Sequence, residues 1–295
     1  LNRETEQFSA SSGRASYTET EKGITVKANG RTFVFSKKDG QLKDVSVNNR
    51  KISFANGPRF IGARRADRSL DQFYNHDDEK AKAKDRTYSE FTDAAVFTKL
   101  DVKEEGGNLI LTANYKLGNL DKAQWTIHPD GMATLDYTYN FSGVVDLMGI
   151  CFDYPEEQVL SKRWLGAGPY RVWQNRIHGT QYDIWENDYN DPIPGETFTY
   201  PEFKGYFGSV SWMSIRTKEG TISLTNETPD SYIGVYQPRD GRDRLLYTLP
   251  ESGISVLNVI PPVRNKVNST DLCGPSSQPK WVDGPQTGRL VLRFE

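Results

Sequence analysis

Apolar and polar residues alternate with a period of two over much of this chain, and short glycine-bearing turns interrupt the alternation. Ala133, Leu135, Tyr137, Tyr139 and Phe141 fall on one side of a run whose other side is Thr134, Asp136, Thr138 and Asn140. That pattern belongs to a strand with one buried face. Leu290, Leu292 and Phe294 oppose Val291, Arg293 and Glu295 in the same way. Hairpin signals separate the runs. Asn29-Gly30 divides Ile24–Ala28 from Thr32–Phe35, Asp39-Gly40 leads into Leu42–Val47, Gly106-Gly107 precedes Leu109–Tyr115, and Asp130-Gly131 joins Trp125–His128 to Met132–Phe141. Helical periodicity is scarce; Asp77–Lys84 reads as a charged loop, and no alternation of strands with helices encodes a (β/α)8 barrel. About fifteen or more strands are expected, beyond the ~7–9 of an immunoglobulin sandwich. The expectation is an all-β protein of two large, mostly antiparallel sheets with little helix.

The 295 residues, 36% of them hydrophobic, suffice for a core that needs neither disulfides nor metals. The formal net charge is −2 and the charges are dispersed, which argues against nucleic acid as a partner. No apolar run approaches membrane-spanning length. Cys151 and Cys273 make neither a disulfide framework nor a zinc spacing; whether they pair is open. Residues 1–14 read as a linker without the pattern of a signal peptide. The first residue is Leu1 rather than Met, and a fragment of a longer protein is expected. Ser161–Lys204 reads as a loop-rich stretch dense in Trp, Tyr, Asn, Asp, Pro and Gly, after which strands return. With no Pro/Ser/Gly linker between these textures, residues 15–295 are expected to form a single domain.

Three segments carry a resemblance to a known family. The first is Phe33-Val34-Phe35-Ser36-Lys37-Lys38-Asp39-Gly40-Gln41-Leu42, followed by Val47-Asn48-Asn49-Arg50. The second runs from Gly57-Pro58-Arg59-Phe60 through Arg64-Arg65-Ala66-Asp67-Arg68, though without the family's Trp. The third and most specific is Arg163-Trp164-Leu165-Gly166-Ala167-Gly168-Pro169-Tyr170 with Asn175-Arg176, then Tyr182-Asp183-Ile184-Trp185 and the Pro/Tyr-rich 192–201. Together they resemble the C-terminal, small-chain domain of family 2 glycoside hydrolases, the β-galactosidase type. The resemblance implies a supersandwich fold of the galactose mutarotase-like kind. It also implies that both catalytic carboxylates belong to a barrel domain of the parent chain, so no residue here is assigned as catalytic. Carbohydrate and that barrel are the implied partners, and an extracytoplasmic bacterial location is implied.

Sugars are held by aromatic rings against their C–H faces and by side chains that pair with their hydroxyls. Tyr170, Trp173, Asn175, Arg176, His178, Asp183, Trp185 and Glu186 supply that mixture in a short span. They are the candidate residues for contact with carbohydrate or a neighbouring domain. Trp164, Gly166, Gly168 and Pro169 read instead as the builders of a turn. Arg64 and Arg65 form a second candidate, since the resemblance places an Arg of this stretch in the concave face; a surface ion-pair cluster is the equal alternative. His178 with Asp183 or Glu186 is the one arrangement that could serve an epimerase-type proton transfer. His76-Asp77-Asp78-Glu79 and Asp188-Tyr189-Asn190-Asp191 lack the spacing of a calcium cage, and neither metal nor cofactor is expected. Two rival functions stay open: a freestanding aldose epimerase or polysaccharide lyase, and an interaction module with no sugar affinity.

Overall fold

In the first hairpin, Asn29 and Gly30 both take positive φ, 43° and 75°, the geometry of the tight turn that matches strand twist. They join β2 (Gly23–Ala28) to β3 (Arg31–Ser36), paired antiparallel from Gly23↔Ser36 to Ala28↔Arg31. The computed structural model describes residues 14–65, 88–189, 205–235, 249–262 and 278–295. The expected linker up to residue 13, Asp77–Lys84, His76 and Cys273 lie outside the described residues.

Antiparallel pairing builds two sheets. The remaining strands are β1 (Ser16–Glu19), β4 (Leu42–Val47), β5 (Arg50–Ile52), β6 (Ala55–Arg65), β7 (Tyr88–Glu90), β8 (Val96–Glu105), β9 (Asn108–Lys116), β10 (Leu120–Ile127), β11 (Ala133–Val145), β12 (Leu147–Asp153), β13 (Val159–Gly168), β14 (Gln181–Asp188), β15 (Phe207–Gly208), β16 (Trp212–Thr217), β17 (Thr221–Asn226), β18 (Tyr232–Gly234), β19 (Ile254–Val259) and β20 (Lys280–Phe294). Among the described residues the first sheet contains eleven strands with the path β1-β2-β3-β4-β6-β12-β19-β18-β15, β5 pairing with β4 and β7 with β6; the second contains nine, β14-β13-β16-β17-β20-β11-β10-β9-β8. One 3-10 turn, Glu156–Gln158, interrupts them. The two-sheet, all-β expectation holds. No helix among the described residues is long and apolar enough to cross a membrane.

The main core lies between the sheets. Leu135, Tyr137 and Tyr139 of β11 meet Met148, Ile150 and Phe152 of β12 in one buried cluster. Phe152 stacks on Phe54 at 4.6 Å and meets the edge of Trp125 at 6.1 Å. Strand β12 is buried on both faces. Alternation sends Leu147 and Cys151 to a second cluster with Ile61 and Ala63 of β6 and Leu257 of β19. The outer face of the eleven-stranded sheet is therefore roofed, and part of that roof is Val172, Trp173 and Tyr206.

Cys151 belongs to this second cluster. Burial pushes its thiol up to about 11, with the Arg59 guanidinium 3.6 Å away pulling partly back. Because the thiolate is the reactive form, Cys151 should resist iodoacetamide in the native protein at about pH 8 and react promptly in urea. Peptide mass mapping checks this; native labelling as fast as in urea would contradict the packing.

The stretch from Ser161, expected to be loop-rich, contains two paired strands. β13 and β14 run antiparallel from Ser161↔Asp188 to Gly168↔Gln181. Their alternation was masked because the inward positions of β13 are Lys162, Trp164, Gly166 and Gly168, only one of which is a large apolar residue.

Candidate functional site

The hairpin loop 169–180, between β13 and β14, gathers most of the expected contact residues. Trp164 anchors it from below. That side chain is fully buried, meets the edge of Phe207 at 4.8 Å, and its indole N–H donates to the carbonyl of Ala167 at 3.1 Å. Gly166 allows the close approach beside it, since a Cβ there would sit 3.0 Å from the backbone of both Gly208 and Val210. Gly168 does the same for Trp185, whose ring would be 2.4 Å from such a Cβ.

The loop itself is sewn down by backbone. Val172 and Tyr206 exchange N–H···O bonds of 2.7 and 2.8 Å, and Trp173 and Arg176 close a turn on each other at 3.3 and 2.8 Å. The Gln174 N–H donates to the carbonyl of Pro261 at 3.1 Å, and its side-chain amide donates to the carbonyl of Gln278 at 2.7 Å. Burial at Val172–Gln174 and exposure at Tyr170, Arg176, Ile177 and His178 give the loop an inner and an outer side.

Trp173 is a correction to the expected contact set. It is fully buried, with its ring edge-on to Tyr206 at 5.6 Å, so it shapes the loop and presents no ring to a ligand. Tyr170 is exposed (44%), Asn175 is half-buried and Arg176 and His178 are exposed. Trp185 is half-buried against the main core, its indole N–H donating to the carbonyl of Gln181 at 3.2 Å. Asp183 is exposed, and its carboxylate accepts the N–H of Ile184 at 2.7 Å. Glu186 does not join the loop. It sits opposite Arg163, five residues along β14 from Gln181, or about 16 Å at strand rise. His178 therefore gains no carboxylate from Glu186. Arg64 is exposed near the end of β6, on a different element from the loop. Arg65 ends that strand opposite Tyr88, and its side chain lies outside the described residues.

Sequence reading missed Trp281, which is 70% exposed on β20. Strand β20 pairs with β11 over thirteen positions, from Ala133↔Leu292 to Val145↔Lys280. Its other neighbour pairs only Leu290–Phe294, so the start of β20 runs on as a ribbon. The residues just before it adjoin the loop, because Gln278 accepts the bond from Gln174. The alternation of 280–288 was the available signal: Trp281, Asp283, Pro285 and Thr287 share the outward side.

Among the described residues no group of three His, Cys, Asp or Glu is placed to hold a metal ion. His128 stands away from the loop at the end of β10, bonded to Thr134 at 2.9 Å and lowered in pKa by burial.

A family model described as beta galactosidase small chain matches residues 27–258. No curated protein matches the chain. Among solved structures, the chain is similar to a galactose 1-epimerase from Lactobacillus acidophilus NCFM, at 11% identity and a TM-score of 0.48, with 96% of this chain and 99% of that one covered. It is also similar to a putative aldose 1-epimerase from Escherichia coli K12, at 12% identity and a TM-score of 0.40, with 95% and 99% covered. A galactose mutarotase-like protein from Lactobacillus casei ATCC 334 follows at 11% identity and 0.39, with 95% and 100% covered.

Proposed function

The chain belongs to the beta galactosidase small chain family, and from that premise we propose that it serves a β-galactosidase-like glycoside hydrolase as a non-catalytic domain. Its 169–180 loop presents Tyr170, Arg176 and His178 to saccharide at the edge of a catalytic barrel in the parent protein. One observation carries the reading: the loop is fixed from beneath by Trp164 and Trp173, both fully buried, while its outer side offers an aromatic ring and hydrogen-bonding groups. Such a surface is preorganised, and little ordering is left to oppose binding.

The placement of His178 supports a non-catalytic role. Proton transfer in either epimerase or hydrolase chemistry needs an acid and a base held within hydrogen-bond reach of the reacting atoms. His178 is exposed, and the Asp183 carboxylate is turned to the backbone of its own strand.

The isolated chain should leave aryl β-galactosides intact and let galactose mutarotate at the buffer rate. Turnover above buffer in either assay contradicts the proposal. Calorimetric titration with lactose should show a weak rim site, of ~1 mM order. Replacing Tyr170→Ala and Arg176→Ala together should weaken that site about tenfold or more, as expected for losing one ring contact and one charged hydrogen bond.

A further inference from the structure

The lateral opening between the two sheets holds a cleft of about 560 Å³ that the loop site does not use. Its walls come from segments far apart in the chain. On one side, Phe60 of β6 and Phe91, just past β7, both stack on Phe141, at 6.0 and 5.5 Å. On the other, Phe97 of β8 meets the edge of Tyr115 of β9 at 5.9 Å. The turn between β3 and β4 closes the end. Gly40 there has φ +72°, and a Cβ on it would stand 2.7 Å from the Phe97 ring, so only glycine lets turn and ring meet. The Tyr115 hydroxyl donates to the carbonyl of Asp39 in the same turn at 2.8 Å.

The mouth is equally fixed. The Asp93 carboxylate accepts the N–H groups of Asn119 at 2.7 Å and Ala95 at 3.0 Å, which pins the segment that crosses it. Arg59, at the back, is occupied by Asp153 at 2.6 Å and by the carbonyl of Asn56 at 2.8 Å. Asp39 is occupied by Lys43 at 2.7 Å. Two charged groups of the lining are left over: Lys38 and Glu90, both exposed and neither in an ion pair among the described residues.

We propose that this cleft binds a neutral pyranoside of one or two rings. The phenylalanine walls take the C–H face of the sugar, Glu90 accepts hydrogen bonds from its hydroxyls and Lys38 donates to them. The volume is within the range of small-molecule pockets, about 300–1,000 Å³. The lining carries charges of both signs and so favours neither a simple anion nor a simple cation, while the hydroxyls of a neutral sugar can pair with both Lys38 and Glu90. The proposal is independent of the loop site, which shares no residue with the cleft.

The test titrates methyl β-D-galactopyranoside and lactose into four forms of the chain: wild type, the double variant Lys38→Ala with Glu90→Gln, the cleft-filling Ala95→Trp, and the rim pair Tyr170→Ala with Arg176→Ala. Thermal unfolding at the wild-type temperature establishes that the Lys38/Glu90 variant is folded, so a loss of binding in it is a loss of contacts. A site weakened at least tenfold by both cleft substitutions and unchanged by the rim pair is the expected result. A single site removed only by the rim pair overturns the cleft and leaves the loop reading standing. Binding indifferent to the cleft variants, or no binding of either sugar, also overturns it.

Discussion

Replacing Trp164→Ala should destabilise the protein by about 3–5 kcal/mol, the usual cost of deleting a fully buried large aromatic side chain. The side chain has no exposed surface, packs edge-on to Phe207, and in register faces Trp185 on one side and Met213 on the other. The hole cannot collapse easily, because at Gly166 β13 already lies so close to the Gly208–Val210 backbone that a Cβ there would sit 3.0 Å from it. The substitution also removes the hydrogen bond to the carbonyl of Ala167, at the base of the loop. Total stabilities are about 5–15 kcal/mol, so the urea midpoint should fall by roughly 1 M or more. Trp164→Phe, which keeps a ring against Phe207, should recover part of the loss. A midpoint within experimental error of wild type for Trp164→Ala would show that the residue is not the anchor described.

Alkali should unfold the protein steeply, and buried tyrosines set the direction. Burial holds the Tyr137 hydroxyl up to about 12, its bond to Thr228 pulling slightly the other way. Burial raises Tyr139 and Tyr206 further, with Tyr137 and Tyr88 respectively adding to the rise. In the unfolded chain these phenols ionise near pH 10. Their neutral forms are favoured by folding, so their full contribution is present below about pH 10. Above it the unfolded state releases protons first and stability falls with rising pH, until the folded pKa values are passed. For Tyr137 the rise from 10.0 to about 12, at about 1.4 kcal/mol per pH unit, amounts to ~3 kcal/mol. Tyr139 and Tyr206 add to it. Tyrosinate absorbance should therefore appear in two stages, the exposed phenols first and the buried set together with loss of the near-ultraviolet circular dichroism. Tyr137→Phe should flatten the alkaline limb. Buried phenols ionising near pH 10 with the fold intact would contradict the packing of β11.

The sequence was most legible where one face of a strand is buried and the turn is glycine-bearing. β2, β3, β4 and β11 were read close to their observed bounds for that reason. β8 was not read, because at the margin of the nine-stranded sheet it buries none of its side chains fully and carries charge on both faces. β14, the opposite edge, was hidden in a similar way: its one buried residue is the polar Asn187, and Asp183 and Glu186 put charge on both faces. The loop was legible as chemistry, an aromatic and polar mixture, but not as geometry. Nothing in the order Trp164, Trp173, Trp185 tells which ring is sealed, since that depends on Phe207 and Tyr206 arriving from a distant segment. The lateral cleft was invisible, because Lys38, Phe60, Glu90, Phe97 and Tyr115 meet only once the two sheets are stacked.

We place the saccharide contact of this domain at the exposed loop between β13 and β14. Amide resonances of the deuterated, nitrogen-15-labelled chain, followed as lactose is added, decide whether it lies there. Saturable shifts are expected at Tyr170, Arg176, His178 and Asp183, with the amides of buried Trp164 moving little. Saturation with no movement across 170–183, whatever happens elsewhere in the molecule, would contradict it.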